Sequence, residues 1–273
     1  MTPEPMPSLR QLLAFYVDAG VDCALSDEPI DRLAVEEIVP EAPRQAAPVA
    51  APRPQSLIAS RPILPANGPA TPEAAIVSAR EAAATAPTLE ALRALMQSFD
   101  GCALRTTATQ LVFADGNPQA RLMLVGEAPG RDEDIDGLPF VGRSGKLLDL
   151  MLAAIGLDRS KVYIANVIPW RPPGNRTPTP QETQICLPFI KRQIELVNPD
   201  VLVTLGNPST QALLETREGI MRTRGRWFDY HTGTRTIRAL PTLHPAYLLR
   251  QPTYKRHAWQ DLRAIVTALE ATA

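Results

Sequence analysis

Three cysteines in 273 residues are too few for a framework of disulfides, and they fit a reducing compartment. The net charge of −1 excludes a uniformly basic coat for nucleic acid and a polybasic membrane anchor. No apolar run approaches the ~20 residues that a membrane-spanning helix requires. The opening Met1–Pro7 lacks the basic and apolar regions of a secretory signal. These absences lead to the expectation of a soluble, cytoplasmic, nucleoid-associated protein of bacterial type, monomeric and without membrane contact.

What is present is unevenly spread. Apolar residues make up 45 % of the chain, enough for a real core, and the length allows one large or two small domains. Residues 1–100 carry a balance of −6, and residues 101–273 one of +5. Between Arg217 and Arg256 there are nine Lys/Arg and two acids, interleaved with Trp227, Tyr230, His244 and Tyr247. Such a stretch could follow a phosphate backbone, and a solvated face explains it equally well.

Three segments are expected along the chain. Residues 1–39 hold a short amphipathic helix near Leu9–Gly20, with Leu9, Leu12, Leu13 and Tyr16 at helical spacing. Residues 40–72 contain nine prolines and eight alanines in 33 positions, too little apolar surface to offset the entropy of ordering, so they read as a disordered linker. Residues 73–273 read as the catalytic domain. Its leading helix spans 73–99, with Thr71 as cap and Pro72 in the first turn.

Beyond Gly101 strands and helices alternate. Arg121–Val125, Val162–Ile168, Val201–Leu205 and Thr236–Leu240 read as strands. Ser144–Ile155, a helix from Thr179 to Val197, Pro208–Leu214 and Lys255–Leu269 read as helices, the second opened by the capping box Thr179-Pro180-Gln181-Glu182. This order predicts an α/β fold: three α/β/α layers around a mostly parallel four-stranded sheet, preceded by a helical and disordered extension. Ligands of such sheets bind at the carboxyl ends of the strands, so the loops there carry the functional information.

The first strand runs into Gly126-Glu127-Ala128-Pro129-Gly130, a rigid turn whose amides can approach a ligand, with Glu127 and Glu133 as nearby carboxylates. A tight strand-to-helix connection accounts for the same residues. The turn matches neither the dinucleotide nor the P-loop pattern. Phe140, in Gly137-Leu138-Pro139-Phe140-Val141-Gly142, could stack beneath a planar base or fill the core. Asn166, at the end of the second strand, offers a donor and an acceptor together to a nucleobase edge. The stiff Pro172–Arg176 loop follows, with Arg176 free to meet a phosphate. His244 follows the fourth strand and is held extended by Pro245. Leu248, Leu249 and Arg250 come next, apolar side chains beside a cation, which suits a wedge entering a duplex. Each feature has an ordinary structural explanation alone. Their shared rim of one sheet makes a common site.

Taken together these segments resemble the uracil-DNA glycosylase superfamily, specifically its family 4. The resemblance rests on Val112–Pro118, Gly126–Gly130, Gly137–Gly142, Asn166–Arg176, Arg224–Arg226 and His244–Arg250. It implies an enzyme that flips uracil out of DNA and hydrolyses its N-glycosidic bond, leaving an abasic site. By resemblance Glu127 holds the attacking water and the sugar, and Glu133 positions the loop. Phe140 stacks on uracil in a pocket that includes Gly126 and Ala128; Asn166 bonds the base edge and Asn175 supports the site. His244 donates to uracil O2, and Leu248–Arg250 fill the vacated stack. Ala128 stands where some relatives carry a basic Asp.

The resemblance also implies a [4Fe–4S] cluster on four cysteines, and here the chain departs from its family. Two of the four positions hold Cys102 and Cys186; the others hold Phe99 and Trp170. Two thiolates cannot satisfy such a cluster, so the expectation is no cofactor and no metal, with the aromatics filling the volume. The implied partner is uracil-containing DNA, with a protein partner possible for the acidic N-terminal segment. Alternatives are a relative that binds or covalently captures uracil-DNA without turnover, and a glycosylase for other deaminated bases. Because the matched motifs lie beyond residue 100, removing residues 1–100 is expected to leave substantial activity.

Overall fold

The structure is a computed structural model and describes residues 72–271. The expected helix near Leu9–Gly20 and all of the 40–72 linker but Pro72, which opens a helix, lie outside the described residues. The described chain opens with α1 (Pro72–Thr85) and α2 (Leu89–Ser98) rather than one helix. Pro87 lacks the amide a continuous helix needs and disfavours helical backbone at Ala86. Thr88 then starts the second helix, its hydroxyl accepting from the Ala91 amide at 3.2 Å.

Both helices belong to the core. Ala75, Ala79 and Ala83 lie one turn apart and are buried where α1 packs on α6 (Pro180–Val197), their small side chains allowing close approach. The Arg192 guanidinium donates to the Ala86 carbonyl at 3.0 and 2.8 Å, closing the end of α1. The expectation that removing residues 1–100 leaves substantial activity meets a packed core here: a cut at residue 100 also strips buried Leu92 and Met96 from it.

The sheet has six strands in the order β1-β3-β2-β4-β6-β5. β2 (Leu122–Gly126), β3 (Val162–Asn166), β4 (Val201–Leu205) and β6 (Thr236–Thr242) are the four expected parallel strands. Two antiparallel edges flank them: β1 (Asp115–Gly116) beside β3 and β5 (Phe228–His231) beside β6. Every residue of β2, β3 and β4 is buried, because helices cover both faces. Alternate residues feed alternate layers. Met123, Val125, Tyr163 and Leu202 face α1, α2 and α6. Leu122, Leu124, Ile164 and Val203 face α5 (Arg143–Ala153) and α10 (Lys255–Ala271).

The basic aromatic stretch is spent largely on the fold. Tyr230 is buried in β5, and the Arg238 guanidinium lies 4.0 Å over the Trp227 ring. Arg224 pairs with buried Asp261, donating from Nε at 3.0 Å, and the Thr242 hydroxyl donates to the same carboxylate at 2.7 Å. No helix among the described residues is long and apolar enough to cross a membrane.

Candidate active site

The site begins where the strands end. In the parallel pairing of β2 with β3, Gly126 sits opposite Asn166, so the first loop and the Asn side chain leave the sheet together. The amides of Val167 and Ile168 then donate to the carbonyls of Gly126 and Glu127 at 3.0 and 2.9 Å, locking the two loops side by side. Position 126 admits only glycine: a Cβ there would lie 2.4 Å from Asn166 Oδ1 and 2.6 Å from the tip of the Phe140 ring.

Glu133 lies in α4 (Arg131–Asp136) and bridges two turns. Its carboxylate accepts from the Gly130 amide at 3.0 Å and from the Gly142 amide at 3.1 Å, tying the Gly-rich turn to the Phe140 loop. Phe140 itself has φ +56°, a left-handed backbone that non-glycine residues rarely adopt. Its buried ring stacks against His244, centroids 5.4 Å apart and planes 29° from parallel.

Two polar groups at the cleft have perturbed surroundings. Asn166 Oδ1 is buried and has no hydrogen-bond partner among the described residues, a costly arrangement for an amide oxygen. His244 caps α9 (Pro245–Arg250); its Nδ1 accepts from the Ala246 amide at 3.1 Å, which places the single proton of the neutral ring on Nε2. Burial, and then the nearby Arg250 charge, lower its pKa to about 4, so the imidazole is neutral at pH 7. Burial raises the pKa of Glu127 above the ordinary carboxylate range. The cleft thus offers one unsatisfied acceptor, one neutral N–H donor, an aromatic face and a carboxylate of raised basicity.

A cleft of about 400 Å³ gathers Glu127, Ala128, Glu133, Phe140, Asn166, Asn175, Arg176, His244 and Arg250 on one wall or another, with Gly126 beneath the Phe140 ring. Leu248 is corrected: it is 1 % exposed and packs in the core under α9, leaving Leu249, 38 % exposed, and Arg250 on the outer side. Arg176 is not free, since it makes a two-pronged pair with Glu182 at 2.8 and 2.6 Å. Asn175 Oδ1 accepts from Arg171 Nε at 2.7 Å and so braces the Pro-rich loop. Ser144 and Thr177 also line the cleft and carry no motif that reveals them.

The residues at the implied cluster positions do not fit a four-thiolate cluster. Cys102 and Cys186 are buried with their sulfurs 3.8 Å apart. Phe99 packs edge-on against Phe189, centroids 5.0 Å apart, and Trp170 is among the largest fully buried side chains. Among the described residues no group of three or more His, Cys, Asp or Glu side chains converges.

Known proteins match this chain over the same region. The family model for the uracil DNA glycosylase superfamily matches residues 113–263. A type-4 uracil-DNA glycosylase of Thermotoga maritima is 42 % identical over 179 residues, which are 65 % of this chain and 88 % of that protein. One from Archaeoglobus fulgidus is 40 % identical over 168 residues, 60 % of this chain and 84 % of that protein. One from Sulfurisphaera tokodaii is 38 % identical over 182 residues, 65 % and 83 % of the two.

Proposed function

The chain belongs to the uracil DNA glycosylase superfamily, in its type-4 branch, and from that premise we propose that it is a monofunctional repair glycosylase releasing uracil from DNA. The C1′–N1 bond breaks with its electron pair leaving on uracil, and water supplies oxygen to C1′, giving free uracil and an abasic site. The observation that carries this reading is the unpartnered Asn166 Oδ1, sharing a cleft with the Nε2–H of His244.

A flipped uracil satisfies that oxygen with its N3–H, while the Asn166 amide N–H donates to O4. Cytosine carries an amino group in place of O4 and would set donor against donor. His244 Nε2–H donates to O2, where negative charge gathers as the bond breaks; one such preorganised donor is worth ~3 kcal/mol, about 100-fold or more in rate. Phe140 supplies the stacking face. Glu127, with its basicity raised by burial, holds the attacking water and takes its proton as oxygen bonds to C1′. Ala128 supplies no base, so stabilising the departing anion does most of the work. Leu249 and Arg250 occupy the gap in the base stack, with Arg250 also at the cleft.

The enzyme works without an iron–sulfur cluster. Support comes from the two thiols and two packed aromatics at the four positions. Residues 73–273 form the catalytic domain, acting as a monomer at the nucleoid, and the acidic N-terminal segment meets a protein partner. The decisive experiment is release of uracil from a labelled oligonucleotide over many turnovers, using chelator-treated protein whose iron content and visible spectrum are recorded. Repeated turnover without iron is expected. A single stoichiometric event would indicate covalent capture instead, and faster release of hypoxanthine or xanthine would indicate another damaged base.

A further inference from the structure

We propose that Arg159 is a positioning residue for the uracil-stacking ring, holding Phe140 in its left-handed backbone from the far end of β3. The inference deepens the proposed function and rests on Phe140 serving as the stacking face. Arg159 lies three residues before β3, at the strand end opposite Asn166. Its guanidinium reaches the loop over the sheet. Nη1 donates to the Pro139 carbonyl at 3.1 Å, and Nη2 donates to the Phe140 carbonyl. Two consecutive carbonyls, flanking the backbone of the strained residue, are therefore gripped by one rigid fork.

The fork is itself fixed. Asp115 accepts from Nη1 at 2.5 Å and Asp149 from Nε at 2.8 Å, so one carboxylate of β1 and one of α5 set its orientation. On the opposite side Gly145 makes room: a Cβ there would stand 1.6 Å from the Phe140 carbonyl oxygen. The φ of +56° at Phe140 persists because its surroundings over-determine it, as strained backbone at functional sites requires. Without the fork the carbonyl loses both its charged donor and its direction. The backbone then relaxes to negative φ, and the ring leaves its place against Gly126 and His244. This assigns a task to Asp115 within the Val112–Pro118 motif, which otherwise touches nothing in the cleft.

The test is a double-substitution cycle on the full chain with two readouts, inhibition by free uracil and single-turnover excision, alongside thermal unfolding. R159M is expected to weaken uracil inhibition and slow excision by about ten- to a hundredfold, the scale of a misplaced group. R159K should recover part of this, since an ammonium reaches one carbonyl but not both. In an F140A background R159M should change neither readout further, because the ring it positions is gone. Additive losses in the double variant, or normal uracil inhibition in a folded R159M protein, would overturn the proposal. If F140A alone leaves uracil inhibition and excision untouched, the stacking role fails instead, and the two failures are told apart.

Discussion

Two regions of this molecule that match one family's motifs are built in opposite ways. At the carboxyl rim of the sheet costly arrangements are kept: an amide oxygen without a partner among the described residues, an imidazole held neutral, a phenylalanine with left-handed backbone. Around Cys102 and Cys186 the opposite holds, with Phe99 edge-on against Phe189 and Trp170 buried. Strain at the rim is the kind a bound ligand would repay, whereas the four positions that the family pattern gives to a cluster hold two thiols and two packed aromatics.

The sharpest way to break that comparison is His244→Ala. It should fold normally and lose ~100-fold or more in uracil release, because the donor to the departing anion is gone. Wild-type single-turnover rates would show the rim to be ordinary loop structure. Trp170→Ala probes the other pocket, and there stability should suffer rather than chemistry. Removing a fully buried indole costs about 3–5 kcal/mol in urea unfolding, while the folded fraction keeps its rate. A variant as stable as the parent would mean that the ring is not filling the volume.

The pH dependence of stability gives a smaller effect with a definite sign. His244 takes up a proton at pH about 6.5 when unfolded and only at about 4 when folded. Its contribution is therefore complete above pH 6.5 and is lost as pH falls toward 4. Between pH 7.5 and 4.5 the parent should lose roughly 2–3 kcal/mol more stability than His244→Gln. Equal losses would show that the imidazole is not held neutral by its surroundings.

The parallel strands and their helices were legible because their signals are local: an unbroken apolar run for a strand covered on both faces, and a capping box for the helix at Pro180. The rim residues were legible because loops after parallel strands converge. Other features depend on partners far away in sequence. β1 is two residues long, and β5 shows itself only by pairing with β6. Leu248 and Leu249 look alike in sequence, and the rotation of a short helix buries one and exposes the other. Arg176 reads as free in the sequence, whereas in the fold Glu182, a capping residue, holds it. The Pro87 break was written locally, yet the helical pattern on both sides masks it.

The Ala246 amide that occupies Nδ1 of His244 has a consequence for the fate of the proton. An imidazole with one lone pair engaged and one N–H can lend that hydrogen, but surrendering it would leave an anionic ring. On the proposed mechanism uracil therefore departs as an anion, still short of the hydrogen it carries in free solution. It collects that hydrogen from water on its way out, and Glu127 returns to solvent the proton it took from the attacking water, so that His244 needs no reprotonation before the next lesion.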